Sequence, residues 1–400
     1  MNVFLSHGPP YWFEGGEEMV IGELTETYPP MQDGVGRVCW AYCQEIEKQG
    51  HTAYYVAPED PAHSRFPGLR TLLYKGLQIP RQNYRLGVPN WSFSFQKELR
   101  QIPFNILHIH SPFLSYRVAR ELQKENPALP IVATFHSKYY DDAMKITHSR
   151  AISSGVVNVV LSVYRECDAV WAVNHETAEV LRSYGYQGVI DIAPNGTDMH
   201  DIDYERAYEA RRRLGIPDGR AVLLFVGQIS RKKNIHSILR AAALLKKEGL
   251  DFVVLLAGEG PDRGNLEKLT EELDLMDRIA FLGFIRNAEE LSSLYALADL
   301  FVFPSIYDNA PMVVREAAVN ETPAVLVRGS CSAEGIEDGV NGFLCEDSPE
   351  DIARAIREGI PRAREVGKAA RNTIPKPWDQ IISEVLDKYQ TLIDLRRSRM

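Results

Sequence analysis

The 400-residue sequence has few cysteines, no long apolar run and no excess of basic residues. Its five cysteines, at 39, 43, 167, 331 and 345, include no Cys-x-x-Cys pair, which argues against the disulfide framework of a small secreted domain and predicts reduced thiols. The longest apolar stretches, 156–163 and 252–257, are far shorter than the roughly 20 residues of a membrane-spanning helix. A net charge of −9 excludes a surface that binds nucleic acid over its whole extent.

The first sixteen residues lack the features of an export signal. Gly8, Pro9 and Pro10 interrupt them, the start carries no basic residue, and no apolar run reaches the length of a signal peptide. We therefore expect a cytoplasmic protein whose contact with the inner membrane face, if any, is peripheral. The proportions of apolar residues (45%) and charged residues (25%) are ordinary for a globular protein.

Short apolar runs alternate with longer amphipathic stretches, a pattern typical of strand-helix-strand units and parallel sheets. The predicted strands are 20–24, 53–56, 106–110, 131–134, 169–172, 189–192, 222–226, 253–257, 279–282, 300–303 and 324–327. We predict an α/β protein of two doubly wound, Rossmann-like domains that face each other across a cleft. Its parts are an N-terminal domain over 1–200, a linker over 201–219, a C-terminal domain over 220–375 and a last helix over 376–400, which either caps the second domain or crosses back to the first.

Two loops that follow predicted strands could hold a phosphate group. The first begins at Gly227 and Gln228 and carries three cations before a helix at Ile235, with Asn234 as its expected cap. Cations are unfavourable at a helix N-terminus unless an anion is bound there. The alternative is a solvated basic turn.

The second loop runs from Asp308 to Pro311 and leads into another predicted helix. Proline suits a first helical turn, and free amides would follow it; the candidate phosphate-binding residues are Pro311, Met312, Val313 and Val314. Glu316, one turn later, could accept hydroxyl groups of a ribose. The alternative makes Glu316 a surface acid and Asp308 or Asn309 a helix cap.

Other motifs are weaker. Gly34 and Gly36 open a predicted helix and could permit close backbone approach, whereas Gly258–Pro261 is interpreted as a turn. His108 and His110 share one face of a strand with no third ligand evident nearby, so we expect no metal site. His136 follows a strand end and is a candidate functional histidine, with a structural role as the alternative. Asp201 and Asp203 are expected to be capping acids.

In this order and spacing, the motifs resemble glycosyltransferases of family 4, which have the two-lobed GT-B fold. The matching segments are 26–35, 49–52, 107–113, 133–136, 193–198, 225–227, 258–261, 281–283 and 341–344. The most diagnostic is Glu-x7-Glu, present here as Asp308-x7-Glu316. Gln228 departs from the family, most of whose members have an arginine at that position.

The resemblance implies roles for single residues. Glu316 would bind the ribose and Asp308 the donor sugar, Lys233 would pair with the diphosphate, and His136 would contact donor sugar and acceptor. The backbone near Ile285 would hold the base. It also implies retention of the anomeric configuration, no metal, and a nucleotide-diphosphate sugar as substrate, with UDP-hexose as the expected donor.

The acceptor is expected to be a lipid or another glycan, because two segments are most like bacterial enzymes that glycosylate diacylglycerol or phosphatidylinositol. Residues 61–100 are basic and rich in aromatic and aliphatic side chains, which could lie on an anionic membrane or belong to a basic, partly buried surface. The alternatives to a transferase are a catalytically weak nucleotide-sugar-binding partner subunit, a sugar-nucleotide epimerase of the same fold, and a phosphorylase.

Overall fold

The computed structural model describes residues 17–28, 34–59, 68–78 and 85–399. Its N-terminal elements are β1 (Val20–Leu24), α1 (Gly34–Lys48), β2 (Thr52–Pro58), β3 (Arg70–Tyr74), β4 (Gly76–Gln78), β5 (Arg85–Gly87), α2 (Phe93–Leu99), β6 (Ile106–Ile109), α3 (Leu114–Glu125), β7 (Ile131–Phe135), α4 (Tyr139–Thr147), α5 (Arg150–Glu166), β8 (Ala169–Ala172), α6 (His175–Ser183) and β9 (Asp191–Ile192). These strands, except the β4–β5 hairpin, form a seven-stranded parallel sheet in the order β3-β2-β1-β6-β7-β8-β9.

The second half repeats the design. Its elements are α7 (Tyr204–Arg213), β10 (Ala221–Val226), α8 (Ile235–Lys247), β11 (Phe252–Ala257), α9 (Arg263–Glu272), β12 (Ile279–Gly283), α10 (Ala288–Leu297), β13 (Leu300–Phe303), α11 (Met312–Val319), β14 (Ala324–Val327), β15 (Phe343–Cys345), α12 (Pro349–Gly359), α13 (Ala363–Thr373) and α14 (Trp378–Ser398). The six strands form a parallel sheet in the order β12-β11-β10-β13-β14-β15. The predicted fold class, two Rossmann-like α/β domains, is confirmed.

Continuous apolar strands explain the two cores, because a parallel sheet is covered by helices on both faces. Every residue of β10 and β11 is buried, as is every residue of β6 and β7. In both sheets the chain switches direction beside the central strands, β1/β6 and β10/β13. The loops after these strands therefore flank the positions where ligands bind in such sheets.

The last helix, α14, leaves the C-terminal domain and packs against α1 and the N-terminal sheet. Its Tyr389 ring stacks on Trp171 of β8 at 5.6 Å between centroids. The two connections between the domains run side by side, joined where the Thr197 amide donates to the Lys376 carbonyl at 2.8 Å. Gly196 is required there, since a Cβ atom would lie 2.4 Å from the Trp378 ring.

Several local predictions were wrong. The strand expected over 189–192 begins only at Asp191, and Val189 is 81% exposed. Four strands were missed, β3 because it carries Arg70 inside a basic stretch, and β4, β5 and β15 because each has only three residues.

Candidate active site

The turn after β10 is fixed by close packing against the loop after β11. Gly258 has φ +143°, and a Cβ atom there would lie 1.9 Å from the Gly227 carbonyl oxygen. The amide of Ile229 donates to the Glu259 carbonyl at 2.9 Å. The segment Gly258–Pro261, which we interpreted from the sequence as a turn, thus packs against the turn after β10 and fixes the position of its three cations.

Lys233 is the cation of this turn that faces the loop after β13. Its Nζ lies 2.5 Å from Asp308 Oδ1 and 5.4 Å from the Phe303 ring centroid. Both charged side chains are 20% exposed. Lys232 instead reaches the N-terminal domain, where its Nζ lies 3.4 Å from Asp142. The structure therefore brings Lys233 and Asp308 together. A lysine that binds a phosphate and an acid that binds the attached sugar would need to be this close.

One further residue of the turn differs from expectation. Asn234 takes a left-handed conformation, φ 56°, and its side chain does not cap α8. Its Nδ2 donates to Asp347 Oδ1 at 2.7 Å, and its Oδ1 accepts from Ser237 Oγ at 2.7 Å. Gln228 is exposed at the mouth of the turn. The Asn234 side chain thus stabilises the turn and does not cap α8.

Helix α11 begins at Met312, directly after Pro311. The amide of Val314 bends back to the Pro311 carbonyl at 3.3 Å, so it is not a free donor as predicted. The amides of Met312 and Val313, as the first two of the helix, have no partner within it. Two backbone donors and the positive end of the helix dipole thus remain for an anion.

Glu316, one turn into α11, is bound from both domains. Its Oε1 accepts from Arg37 of α1 at 2.8 Å, and its Oε2 accepts from the Tyr295 hydroxyl at 3.1 Å. The Glu316 side chain is 18% exposed and that of Arg37 is 59% exposed. Sequence reasoning missed Arg37 and Tyr295, because no local pattern pairs residues so far apart in the chain.

The loop between Asp308 and Pro311 touches the N-terminal domain directly. Asn309 Nδ2 donates to the His136 carbonyl at 2.5 Å, and Asn174 Nδ2 donates to the Asn309 carbonyl at 2.8 Å. Asp308 Oδ2 and Asn309 Oδ1 are buried and find no hydrogen-bond partner within the described ranges. Unpaired buried oxygens are costly, which marks this loop as a place where a ligand's hydroxyl groups would be stabilised.

His136 stands across from this loop, at the end of β7, and continues a chain of buried polar groups. His136 Nε2 lies 3.0 Å from His110 Nδ1, and His110 Nε2 lies 2.7 Å from Glu23 Oε2. Tyr389 of α14 donates to the other oxygen of Glu23 at 2.9 Å. His108 bridges Tyr389 at 2.6 Å and Thr134 at 2.7 Å.

The pKa values of this cluster follow from burial and mutual charge. Burial raises the pKa of Glu23, but His108 and His110 outweigh it and bring the pKa to about 2. Burial, with the charge of His110, lowers the pKa of His108 to about 4. Burial and the same charge hold the pKa of His136 well below its usual value. Glu23 is therefore an anion, and His108 and His136 are neutral imidazoles, at neutral pH.

A group of three potential metal ligands, which the sequence did not reveal, overlaps this cluster. Ligand atoms of Glu23, Cys39 and His110 all lie within 4.8 Å of one another. Burial holds the pKa of the Cys39 thiol well above its usual value, and both oxygens of Glu23 already accept hydrogen bonds. A protonated thiol and an occupied carboxylate suit a hydrogen-bonded core better than a metal centre.

The remaining candidates lie at the edges of the cleft. Gly34 is the exposed first residue of α1, and a Cβ atom there would meet nothing within 4 Å. The close approach is made by Gly36, where a Cβ atom would lie 2.7 Å from Thr27 Oγ1. Ile285 follows β12 and packs partly buried against the C-terminal core. Asp203 caps α7 by accepting from the Arg206 amide at 2.9 Å, as predicted.

A cavity of about 260 Å³ lies between the domains on the linker side of α11. Its walls include Asn174 and Pro194 of the first domain, and Pro311, Val314 and Arg315 of the second. Lys233, Asp308 and Glu316 do not line it. The cavity is therefore separate from the Lys233–Asp308 and Arg37–Glu316 ion pairs.

Both halves of the chain match known protein families. The family described as "Glycosyltransferase Family 4" matches residues 32–201, and the family described as "Glycosyl transferases group 1" matches residues 207–373. An alpha-monoglucosyldiacylglycerol synthase of Streptococcus pneumoniae is 27% identical over 86% of this chain and 78% of its own length. A GDP-mannose-dependent alpha-mannosyltransferase of Corynebacterium glutamicum is 24% identical over 94% of this chain and 90% of its own.

Solved structures share the fold over nearly the whole chain. Sucrose-phosphate synthase of Thermosynechococcus elongatus superposes with a TM-score of 0.80, at 20% identity, over 94% of this chain and all of its own. Anabaena HepE, solved with UDP and glucose, superposes with a TM-score of 0.73, at 16% identity, over 94% of this chain and all of its own. Within the described ranges, no helix is long and apolar enough to cross a membrane.

Proposed function

We propose a specific reaction for this chain. The chain belongs to the glycosyltransferases that these two families describe and so transfers a sugar from a nucleotide sugar to an acceptor. It is a retaining, metal-independent hexosyltransferase that uses UDP-hexose and a lipid or glycan acceptor. The supporting observation is the pair of ion pairs, Lys233–Asp308 and Arg37–Glu316, set at the turn after β10 and on the helix after β13.

The two ion pairs suit a donor that carries both phosphates and hydroxyl groups. A diphosphate attracts the two cations more strongly than single carboxylates do, because it carries two negative charges close together. Once Lys233 and Arg37 turn to the diphosphate, Asp308 and Glu316 can accept hydrogen bonds from hydroxyl groups of the sugar and of the ribose. Donor binding is thus an exchange of partners in which each charged side chain keeps a hydrogen-bonding partner.

The same arrangement supports departure of the nucleoside diphosphate. As the bond between the sugar C1 and the phosphate oxygen breaks, negative charge grows on the leaving group. Lys233, once turned from Asp308 to the diphosphate, and the amides of Met312 and Val313 would stabilise this charge. The acceptor hydroxyl oxygen forms the new bond to C1 on the same face, and its proton passes to the departing phosphate oxygen.

Retention is supported by the names of the relatives. The Streptococcus protein is named an alpha-monoglucosyldiacylglycerol synthase and the Corynebacterium protein an alpha-mannosyltransferase. Because UDP-glucose carries its sugar in α linkage, an α product retains the configuration. Metal independence is supported by the presence of two cations, Lys233 and Arg37, that could neutralise a diphosphate without a metal ion. A lipid acceptor is supported by the diacylglycerol in the name of the Streptococcus relative.

An exposed apolar site on the N-terminal domain supports a peripheral membrane contact. Phe93, the first residue of α2, is 88% exposed, and Leu77 of the β4–β5 hairpin is 49% exposed. Other apolar residues of the basic stretch belong to the core: Leu72 and Tyr74 are 2% and 1% exposed. Phe93 and Leu77 are therefore the residues that would make the membrane contact.

The contact predicts that Phe93→Ser lowers sedimentation with vesicles of anionic phospholipid by about threefold, because an exposed aromatic contributes apolar area to an interface. Val189→Ser, which alters another residue that is 81% exposed, is the matched control and should sediment like the wild type. An equal loss of sedimentation in both variants contradicts the membrane contact. The same holds if the wild-type protein sediments with neither anionic nor neutral vesicles.

The activity is tested with purified protein, radiolabelled UDP-glucose and vesicles that contain diacylglycerol or monoglucosyldiacylglycerol, with and without EDTA. We expect labelled lipid of α configuration by NMR, in equal yield with the chelator. UDP-galactose and GDP-mannose are the competing donors. Binding of a donor without turnover toward any lipid or glycan extract would instead support a nucleotide-sugar-binding partner subunit, and interconversion of the free donor would support an epimerase.

A further inference from the structure

We propose that Glu23 and His110 are positioning residues that hold His136 as a neutral imidazole with its proton on Nδ1, so that His136 presents a hydrogen-bond donor to the cleft. This inference rests on the proposed function, since it assigns a task to the histidine that faces the sugar-binding loop. It concerns residues that do not themselves reach the cleft: Glu23 is 0% exposed and His110 is 1% exposed.

Glu23 is a buried anion and needs a countercharge nearby. Its two oxygens receive a hydrogen bond from Tyr389 at 2.9 Å and one from His110 at 2.7 Å. Hydrogen bonds from neutral groups do not cancel the cost of burying a charge. One of the neighbouring histidines must therefore carry the positive charge.

His108 is not that cation. The Tyr389 hydroxyl donates to Glu23, so it accepts from His108 Nδ1 at 2.6 Å. His108 Nε2 lies 2.7 Å from the Thr134 hydroxyl, which can donate to it. A neutral His108 protonated on Nδ1 satisfies every atom of this part of the network, and this Nδ1 also lies 3.3 Å from Glu23 Oε2. Burial, which lowers the pKa of His108 to about 4, agrees with the neutral state.

The charge therefore belongs to His110, and its position fixes His136. A protonated His110 donates from Nε2 to Glu23 and from Nδ1 to His136 Nε2, 3.0 Å away. Tyr42 and Cys39 also pack around His110, but burial raises the pKa of both far enough that they carry no charge. His136 Nε2 is thus an acceptor, and the proton of this neutral ring is on Nδ1.

The Nδ1 atom of His136 is available to a ligand. Across the described part of the chain, no group forms a hydrogen bond with it, and His136 is partly exposed. The His136 carbonyl holds Asn309 of the loop that carries Asp308. The ring therefore offers one N–H donor beside the sugar-binding acid, toward a hydroxyl oxygen of the donor or of the acceptor.

The tautomer is read directly from the full-length protein labelled with 15N-histidine, without substrate, by NMR correlation of ring nitrogens with ring protons. His136→Gln identifies the His136 signals by their loss. We expect a protonated Nδ1 and an unprotonated Nε2 in the wild type. A proton on Nε2 of His136 in the wild type overturns the inference, and this result does not depend on the folding of any variant.

Glu23→Gln tests the cause. Without the anion, His110 becomes neutral, keeps its proton on Nε2, and its Nδ1 accepts from His136, so the His136 proton moves to Nε2. We expect kcat to fall about tenfold, the effect of one lost neutral hydrogen bond, with the donor KM changed less than about threefold. Thr134→Val, which touches only His108 in this network, should leave the His136 tautomer unchanged.

An unchanged His136 tautomer in a folded Glu23→Gln protein, or the same change in Thr134→Val, overturns the inference. The outcome separates from that of the proposed function. If the wild type has the Nδ1 proton but transfers no sugar, the proposed function fails. If it transfers sugar with the proton on Nε2, only the inference fails.

Discussion

The two walls of the cleft hold their charged groups in opposite ways. On the N-terminal wall, Glu23, His108 and His110 lie inside the domain and bind one another. On the C-terminal wall, Lys233 and Asp308 pair directly and are each 20% exposed, so solvent reaches both side chains. The first set is sealed, whereas the second is open to exchange with a ligand.

This difference assigns different work to the two walls. A buried, fully bonded network keeps its geometry whether or not a ligand is present, because breaking it leaves unpaired charge in the protein interior. A partly exposed ion pair contributes little stability and can change partners at small cost. On the function proposed here, the N-terminal wall would orient one histidine, and the C-terminal wall would bind and release the donor.

The largest expected effect comes from removing the cation of the exchangeable wall. Lys233→Ala should lower kcat/KM by about 100- to 1,000-fold, the usual loss when one group that stabilises developing charge is removed. The measurement is initial-rate kinetics with the donor that proves active. Lys247→Ala, at the far end of α8, is the control and should stay within about threefold. Equal rates in Lys233→Ala and the wild type would break the contrast between the walls.

A smaller loss is expected on the same wall at Glu316. Glu316→Gln removes the charge that the ribose hydroxyl groups would meet and also the partner of Arg37, so kcat/KM should fall about 10- to 100-fold, as for a hydrogen bond to a charged group. Glu272→Gln, at the exposed end of α9, provides the comparison. A loss in Glu316→Gln no larger than in Glu272→Gln would rule out a ribose contact.

The buried titratable groups of the N-terminal wall should make the stability of the protein depend on pH in the acidic range. The pKa of His108 lies at about 4 in the folded protein against 6.5 ordinarily, and that of Glu23 at about 2 against 4.5. In both windows the unfolded chain binds more protons, so stability falls as the pH drops through them. The melting temperature should decrease from pH 6.5 to 4, less steeply in His108→Gln than in the wild type. His148→Asn, at an exposed position, should keep the wild-type slope, and an unaltered slope in His108→Gln contradicts the burial of a neutral His108.

The smallest effect is a gain. Gln228→Arg adds a cation at the exposed mouth of the turn that carries Lys233, so the donor KM should fall about threefold, as one additional partly screened charge contact allows. Arg231→Gln, which removes an exposed cation of the same turn, should leave the donor KM nearly unchanged. A donor KM that rises in Gln228→Arg would place the diphosphate elsewhere.

Much of the architecture could be predicted from the sequence, because buried parallel strands appear as short apolar runs between amphipathic helices. The strand over Arg70–Tyr74 could not, since its two ends are charged or polar and its burial depends on pairing with β2. The basic stretch around it indicated a membrane surface or a core, and the structure places Leu72 and Tyr74 in the core.

The candidate site was predictable where spacing along one helix or turn determines it. Lys233, Asp308 and Glu316 each follow a strand and belong to local motifs. Arg37 and Tyr389 could not be found in this way, because they reach the site from α1 and from the last helix. Glu23 did carry a signal: an acid in the centre of an apolar strand must be paired when the strand is buried.

The most direct test of the account is a crystal structure of the full chain with bound UDP-glucose. We expect Lys233 Nζ within hydrogen-bond distance of the diphosphate and no longer on Asp308, Glu316 on the ribose, and the Glu23–His110–His136 contacts unchanged. A complex in which Lys233–Asp308 and Arg37–Glu316 remain paired while the diphosphate binds elsewhere would contradict it.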